Sequence, residues 1–358
     1  MASSKKNFFF YLHSVSGLIS GLFILALSLS GAALVFHDEL DSFQRPTVVS
    51  VKDKGILSID SCYIIVQQHY PNAQISNASI SYSIAQPFSF SIYDSAYQNG
   101  NALQLFIHPQ TGEILKARGG SDDARHNIMS WLSKFHNSFQ MGKKGEWLLG
   151  VFALFFLLSI ITGLIIYRRN ILPALFFRKS VWKKNNLHQL IGVWALLFNL
   201  MIAITGFWMQ RYVFKKEFYS SSSWANTIKA SPKLLYSFDS AYNRLKQQHP
   251  DFTGYVIYFA QSTKGKTAIY GGRSGNSFIH SKQFADAVML DSTGNIASTR
   301  FIDTISADDR YDIINSQLHF GKYGGLPVKI IYSLFGCSSA VLSITGFILW
   351  RRKKFSRR

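Results

Sequence analysis

Four apolar blocks of the chain carry no charged side chain: Ser14–Phe36, Trp147–Tyr167, Gln189–Gln210 and Ile330–Trp350. A helix rises about 1.5 Å per residue, so about 20 apolar residues cross the hydrocarbon layer of a bilayer, and each stretch is at least that long. Inside that layer each backbone polar group must be satisfied within its own segment, which makes helices the default. The pattern therefore predicts four transmembrane helices, at 13–37, 146–167, 187–210 and 328–350. Between them lie two long polar connections, 38–145 and 211–327. Each opens on an amphipathic stretch, "SIDSCYIIVQQHYP" in one and "SFDSAYNRLKQQHP" in the other. Alternating runs such as "PFSFSIY" and "YVIYFA" follow, and period-two alternation predicts half-buried strands.

The same elements occur twice. His13 precedes Ser30-Gly31 by 17 positions, and His188 precedes Thr205-Gly206 by 17. His136 precedes Thr162 by 26, and His319 precedes Thr345 by 26. The second and fourth apolar blocks both end in Thr-Gly, a few apolar residues, an aromatic and Arg-Arg. "FIHPQTGEILKAR" (106–118) parallels "MLDSTGNIASTR" (289–300), each an extended pair around a Thr-Gly turn. Regular self-similarity is the signature of internal repetition. The unit is helix, small α+β domain, helix, in tandem. The first block follows Lys5-Lys6 and contains "SGAAL", which imitates a signal peptide. Its apolar run, Ser14 through Phe36, is too long for a signal h-region, and its likeness to residues 188–206 predicts that it is retained.

Charge orients the chain. The net charge is +19, which on one soluble face would suggest nucleic acid. Yet residues 1–12, 168–184 and 351–358 hold 14 Lys or Arg and no acid, leaving 24 basic and 19 acidic residues elsewhere. Basic residues beside span ends mark the cytoplasmic side. The N-terminus 1–12, the loop 168–186 and the tail 351–358 are expected inside, and the two long connections outside, with no role for nucleic acid. Cys62 and Cys337 are expected on different sides of the membrane interface, and no C-x-x-C or C-x-x-C-H occurs. Covalent c-type haem is thereby excluded. A large outer region without disulfides fits a bacterial periplasm, so the expected location is the inner membrane.

The "LHxxxG…(S/T)G" helices, the "LH…G" and "FH…G" segments ahead of "TG…RR", and the "P-x-TGE" hairpin resemble the PepSY-associated transmembrane family. This is also called the iron-regulated membrane protein or PiuB-like family. The resemblance covers nearly the whole chain. It implies two PepSY-like extracytoplasmic domains on a four-helix base, and an activity like that of di-haem ferric-siderophore reductases.

Repeat-equivalent histidines suit that chemistry. His13 and His188 follow cytoplasmic starts, whereas His136 and His319 precede helices entered from outside. A duplicated chain folded about a pseudo-twofold axis brings equivalent residues face to face, and two facing imidazoles are the axial pair of a low-spin b-type haem. Two b-type haems are expected, on His13/His188 and on His136/His319, with His37 as a rival ligand at the outer level. Gly17 and Gly192 lie one turn after a histidine, and Gly31 and Gly206 lie five turns after, on the same stripe. Gly163 and Gly346 belong at the depth of His13 and His188. Small residues here serve helix packing or leave room for a macrocycle. His69 and His249 read as surface or capping residues. Trp131, Phe135 and Phe139 line an approach to the upper level or pack the core.

No G-x-G-x-x-G follows a strand, and the cytoplasmic segments are too short for a flavin or nicotinamide domain. The electron donor is therefore a separate flavoprotein or a membrane quinol. The acceptor, by resemblance, is a ferric siderophore or another extracytoplasmic oxidant. The competing class is a non-enzymatic membrane protein that binds or regulates an extracytoplasmic partner such as a peptidase. A transporter is disfavoured, because the apolar blocks hold no proline and no mid-span charge.

Overall fold

The computed structural model describes residues 2–94, 102–176, 187–215, 218, 230–234 and 236–355. Residues 177–186 of the expected basic loop, and 356–358 of the tail, lie outside the described residues. The chain divides into two compact units. One comprises Met1–His37, Leu132–Ser221 and Asn315–Arg358; the other comprises Asp38–Trp131 and Ser222–Ile314.

The first unit is helical. Its long helices are α1 (Ala2–Leu34), α5 (Lys143–Tyr167) and α11 (Gly325–Phe355). Among the described residues, three segments are long and apolar enough to cross a membrane: Asn7–Leu34, Lys143–Leu175 and Gly325–Lys353. The last of these in chain order begins and ends beyond the charge-free block and takes in Lys329, Arg351, Arg352 and Lys353. Helix α1 packs against both α5 and α11. The third apolar block departs from a continuous span. It forms α7 (Leu187–Trp194) and α8 (Leu196–Gln210), bent by 67° at Ala195. No proline stands there; Ala195 takes φ −92° and ψ 4° and closes α7. The two pieces follow different neighbours, α7 lying on α11 and α8 on α5. One turn beyond the bend, buried Asn199 accepts hydrogen bonds from Ser338 and Ser339 of α11 at 3.3 and 3.0 Å. A polar side chain in a span is costly unless so partnered.

Two shorter helices belong to the same unit through their C-terminal parts: α4 (Ile128–Ser138) before α5, and α10 (Ala307–Phe320) before α11. Tight left-handed turns fold them back. Phe139 and Gln140 have φ 50° and 62°, and Gly321 has φ 65°. At Gly321 a Cβ would come within 2.8 Å of the Tyr332 ring, so glycine is required on two counts.

The second unit is one α+β body, where the sequence suggested two separate small domains. Its strands are β1 (Gln74–Ser79), β2 (Phe88–Tyr93), β3 (Ala102–Ile107), β4 (Ile114–Gly119), β5 (Phe252–Tyr258), β6 (Thr267–Arg273), β7 (Asp286–Leu290) and β8 (Ile296–Arg300). They form a single antiparallel sheet in the order β4-β3-β2-β1-β5-β6-β7-β8. The order is symmetric about the β1–β5 pair, which aligns Ala78 with Ile257. Each four-stranded meander would otherwise leave a row of unpaired backbone groups along β1 or β5, and joining the two strands pairs them. Alternation places Phe88, Phe90 and Ile92 of β2 inward, where they meet Phe252, Ile257 and Ile269 from the other half. The Thr-Gly turns close β3–β4 and β7–β8, with Gly112 at φ 77° and Gly294 at φ 79°.

Helices α3 (Ile59–His69) and α9 (Phe238–Gln248) complete this core through Cys62, Val66, Ala241 and Leu245. Ser58 and Ser237 cap their own helices. Beyond that, the two N-termini cap each other. Asp60 accepts from the Phe238 and Asp239 amides at 2.8 and 3.3 Å, and Asp239 accepts from the Ile59 and Asp60 amides at 3.2 and 3.0 Å. Each carboxylate satisfies amides that a helix start leaves unpaired. Beside β4, α2 (His37–Ser42) supplies Asp41, whose carboxylate holds buried Arg118 at 2.8 Å and Arg45 at 2.7 Å. Both cysteines are free thiols, Cys62 in this core and Cys337 in α11.

Candidate functional site: two facing histidine pairs

Within the helical unit the four repeat-equivalent histidines form two pairs. The His13 ring on α1 faces that of His188 on α7, with centroids 6.1 Å apart. The His136 ring on α4 faces that of His319 on α10, with centroids 6.4 Å apart. His37 opens α2, and the ring opposite His319 is that of His136.

Each imidazole rests on a Ser-Gly or Thr-Gly dipeptide of a different helix. His13 Nδ1 lies 2.9 Å from the Ser159 carbonyl and 3.3 Å from Thr162 Oγ1. His188 Nδ1 lies 3.1 Å from the Leu342 carbonyl and 3.0 Å from Thr345 Oγ1. His136 Nδ1 lies 2.9 Å from Ser30 Oγ, and His319 Nδ1 lies 3.0 Å from Thr205 Oγ1. The glycine that follows each hydroxyl residue supplies the space for the ring. A Cβ at Gly163, Gly346, Gly31 or Gly206 would stand 3.1, 3.2, 3.0 or 3.1 Å from the Cε1 of His13, His188, His136 or His319. Any side chain there pushes the ring aside by a few tenths of an ångström or more.

These contacts also bear on which imidazole nitrogen carries the proton. Thr162, Thr345, Thr205 and Ser30 donate their own hydrogens to carbonyls one turn back, at 2.7, 2.7, 2.8 and 3.1 Å. A carbonyl can only accept, so His13 and His188 are held as the Nδ1–H tautomer. At His136 and His319 the same tautomer goes with a hydroxyl hydrogen turned to its carbonyl, which leaves the oxygen to accept from the ring. In that tautomer the Nε2 lone pair is left over, and no Nε2 has a hydrogen-bond partner among the described residues. Such second-sphere acceptors behind a histidine are what orient metal-binding imidazoles.

The pairs stand at different levels. His13 and Gly31 are five turns apart on one helix, about 27 Å along its axis and comparable with the hydrocarbon thickness. Phenylalanine rings occupy the interval. Phe23 stacks on Phe152 with centroids 3.7 Å apart, and Phe198 lies 5.6 Å from Phe335. Phe23 and Phe198 each follow their histidine by ten places and precede their glycine by eight, a regularity hidden among the many phenylalanines of the sequence. Phe139 packs on Phe23 at 5.5 Å and on Phe135 at 5.7 Å, so both rings pack within the helical unit.

Gly17 and Gly192 serve the helices. A Cβ at Gly17 would meet Ser159 Oγ at 3.5 Å, and one at Gly192 would meet Leu342 Cδ2 at 3.8 Å, both ordinary contacts across to the neighbouring helix. His69 bonds its own Ile65 carbonyl, and His249 caps α9 with its ring against Phe301. Buried Asn315, one turn before His319, donates to the Thr205 carbonyl at 3.1 Å and so braces the dipeptide under that ring. Gln210 bonds the Asn137 carbonyl beside His136 at 3.4 Å. Neither residue has a counterpart in the first half, so repeat spacing gave no signal for them. Among the described residues, no group of three or more His, Cys, Asp or Glu side chains is placed to hold a metal ion.

Three apolar helices and a bent apolar pair, beside an eight-stranded antiparallel sheet, define a membrane protein with a folded α+β unit. The family model described as the PepSY-associated TM region matches residues 10–353, and the chain belongs to that family. No curated protein matches the chain.

Proposed function

We propose that this is a tandemly duplicated electron-transfer protein of the bacterial inner membrane that carries two b-type haems on a four-helix base. His13 and His188 would hold one haem, and His136 and His319 the other. The observation that carries this reading is the spacing of the paired rings. A metal–imidazole bond of about 2.0 Å and a ring radius of about 1.1 Å place two axial imidazole centroids about 6.2 Å apart. The two pairs lie at 6.1 and 6.4 Å. The chemistry of the donors fits as well. Each pair offers two Nε2 atoms with no hydrogen-bond partner among the described residues, and Nε2 is a nitrogen through which histidine binds metals. His13 with His188, and His136 with His319, would hold a haem iron through these nitrogens.

When bound, the haems supply one-electron redox chemistry at two depths. The chain's own residues do the rest. Ser30, Thr162, Thr205 and Thr345 hold the rings in the tautomer that presents Nε2. The glycines beside them let each ring lie against its supporting helix. The apolar helices keep both levels out of water.

Basic flanks orient the chain with both termini and the 168–186 loop in the cytoplasm, so the sheet unit lies in the periplasm. His13 and His188 are then the inner level, and His136 and His319 the outer. Electrons enter from a cytoplasmic flavoprotein or a membrane quinol. They leave to an oxidant outside, for which ferric siderophore is the substrate class. Reduction to Fe(II) weakens its binding by hard oxygen donors and frees the metal.

Absorption spectroscopy of the detergent-purified protein tests the proposal. Two low-spin bis-histidine haems per chain are expected. A colourless protein that remains so after haem supply during expression would overturn it, and would favour a non-enzymatic partner-binding role for the sheet unit.

A further inference from the structure

The two levels differ in what stands behind their imidazoles. At the His13–His188 level each Nδ1–H has a backbone carbonyl within hydrogen-bond distance, Ser159 at 2.9 Å and Leu342 at 3.1 Å, besides the threonine hydroxyl. At the His136–His319 level the hydrogen bond goes to a hydroxyl, Ser30 at 2.9 Å and Thr205 at 3.0 Å. The two carbonyls occupy equivalent places, three residues before Thr162 and Thr345. At the other level the carbonyls three residues before Ser30 and Thr205 belong to Leu27 and Ile202. These accept from the Ser30 and Thr205 hydroxyls at 3.1 and 3.2 Å, just as Ser159 and Leu342 accept from Thr162 and Thr345 at 3.0 and 3.3 Å. The levels differ in that His13 and His188 also reach their carbonyls, whereas His319 has only the hydroxyl among the described residues. The Leu27 carbonyl interacts with the His136 ring as well, so the contrast between levels is sharpest at His319.

A carbonyl oxygen is a stronger acceptor than a hydroxyl oxygen that already donates. It draws the Nδ1 proton outward and enriches Nε2 in electron density, which makes the ring a better donor to a metal. A stronger axial donor stabilises the ferric state over the ferrous and lowers the reduction potential. We infer, resting on the haem reading above, that Ser159 and Leu342 set the His13–His188 haem at the lower potential, so that electrons run downhill from that level to His136–His319. Ser159 and Leu342 are positioning residues here, acting through the imidazoles. In the step itself one electron leaves the iron held by His13 and His188, which goes from ferrous to ferric. The iron held by His136 and His319 goes from ferric to ferrous. No covalent bond changes and no proton is transferred. The flavoprotein or quinol donor restores the first site.

An opposing field comes from Arg168, Arg169, Arg351 and Arg352 at the helix ends nearest His13 and His188, since positive charge favours the ferrous state. These side chains are exposed, and salt screens exposed charges over about 8 Å at physiological ionic strength. The carbonyls are in direct contact with the rings and are not screened. Raising the salt therefore widens the gap between the two potentials.

Spectroelectrochemical titration of the purified full chain tests this. Two waves are expected. His188→Met should move the lower wave upward, because a thioether ligand raises the potential, and His319→Met should move the upper wave. If either variant loses a haem instead, the wave that disappears makes the same assignment. A finer comparison isolates the carbonyls. Thr205→Val removes the hydrogen-bond acceptor behind His319, whereas Thr345→Val leaves His188 its Leu342 carbonyl, so the first shift should exceed the second. One unresolved wave, a lower wave that belongs to His319, or a larger shift in Thr345→Val would each overturn the inference while leaving the haem assignment standing. Absence of haem would instead defeat the reading beneath it.

Discussion

The two units of this chain join its N- and C-terminal halves by opposite means. In the sheet unit the halves are sealed together. Strands β1 and β5 pair, the apolar core is shared, and Asp60 and Asp239 each cap the helix of the other half. Nearly every polar group at that seam has a partner. In the helical unit, where α1 packs on α11 and α5 on α8, the halves also meet at two pairs of imidazoles whose Nε2 atoms have no partner among the described residues. A seam with satisfied polar groups is stable as it stands. One with nitrogens left unpartnered is where the proposed haems would bind. The comparison teaches where to look for chemistry in a symmetric molecule: at the junction left incomplete.

The largest expected effect attacks the incomplete junction. His188→Ala should remove one of two haems and leave the other, and His319→Ala should do the reverse, as read by haem-to-protein ratio. Loss of both or of neither would reject the pairing of levels. Next comes Gly31→Val. Its side chain would occupy the space of the His136 ring, whose Cε1 already stands 3.0 Å from where a Cβ would be. It should deplete the His136–His319 haem while the His13–His188 absorption persists, and equal retention of both would sink the cradle argument.

The sealed junction and its surroundings predict losses of stability without loss of haem. Asp41→Ala leaves Arg118 buried and uncompensated, which costs about 3–5 kcal/mol. Faster hydrogen exchange confined to the sheet unit should report it, and unchanged protection of β4 would contradict it. Asp60→Ala removes the acceptor for two amides of α9 and should cost about 1 kcal/mol. The smallest effect is one of pH. Burial, with the neighbouring Asp239 adding to it against the Ser237 hydroxyl and the Phe238 amide, raises the Asp60 carboxyl above its ordinary value near 3.8. Ionising it therefore costs more in the folded state than in the unfolded. The stability Asp60 contributes is greatest below the ordinary value and is lost as pH rises through the raised one. The melting temperature of the wild type minus that of Asp60→Asn should fall as pH climbs across that window and then level off. A rise would reverse the assignment.

Much of this was legible in the chain. Charge-free blocks marked the apolar helices, and alternation in "PFSFSIY" marked β2. The Thr-Gly turns appeared as hairpins, and equal spacings singled out His13, His136, His188 and His319. Less legible were features made by residues far apart. The bend at Ala195 has no proline to announce it, and arises because α7 and α8 follow different helices. The merging of two expected domains into one sheet depends on edge pairing between β1 and β5, which belong to opposite halves of the chain. Glycines such as Gly31 and Gly206 read either as helix packing or as room for a macrocycle. Their immediate neighbours proved to be the imidazoles of His136 and His319.

By itself, then, the sequence determined which segments are apolar enough to be helices in lipid, which alternate as strands, and which four histidines occupy equivalent places. Those are consequences of local periodicity and composition, and every residue needed to read them lies within one segment. The pairing of His13 with His188 and of His136 with His319 was already expected from the repeat; tertiary structure decided which hydroxyl and glycine support each ring. Tautomer and ligand geometry depend on atoms that distant helices bring within about 3 Å, and no local pattern encodes that approach.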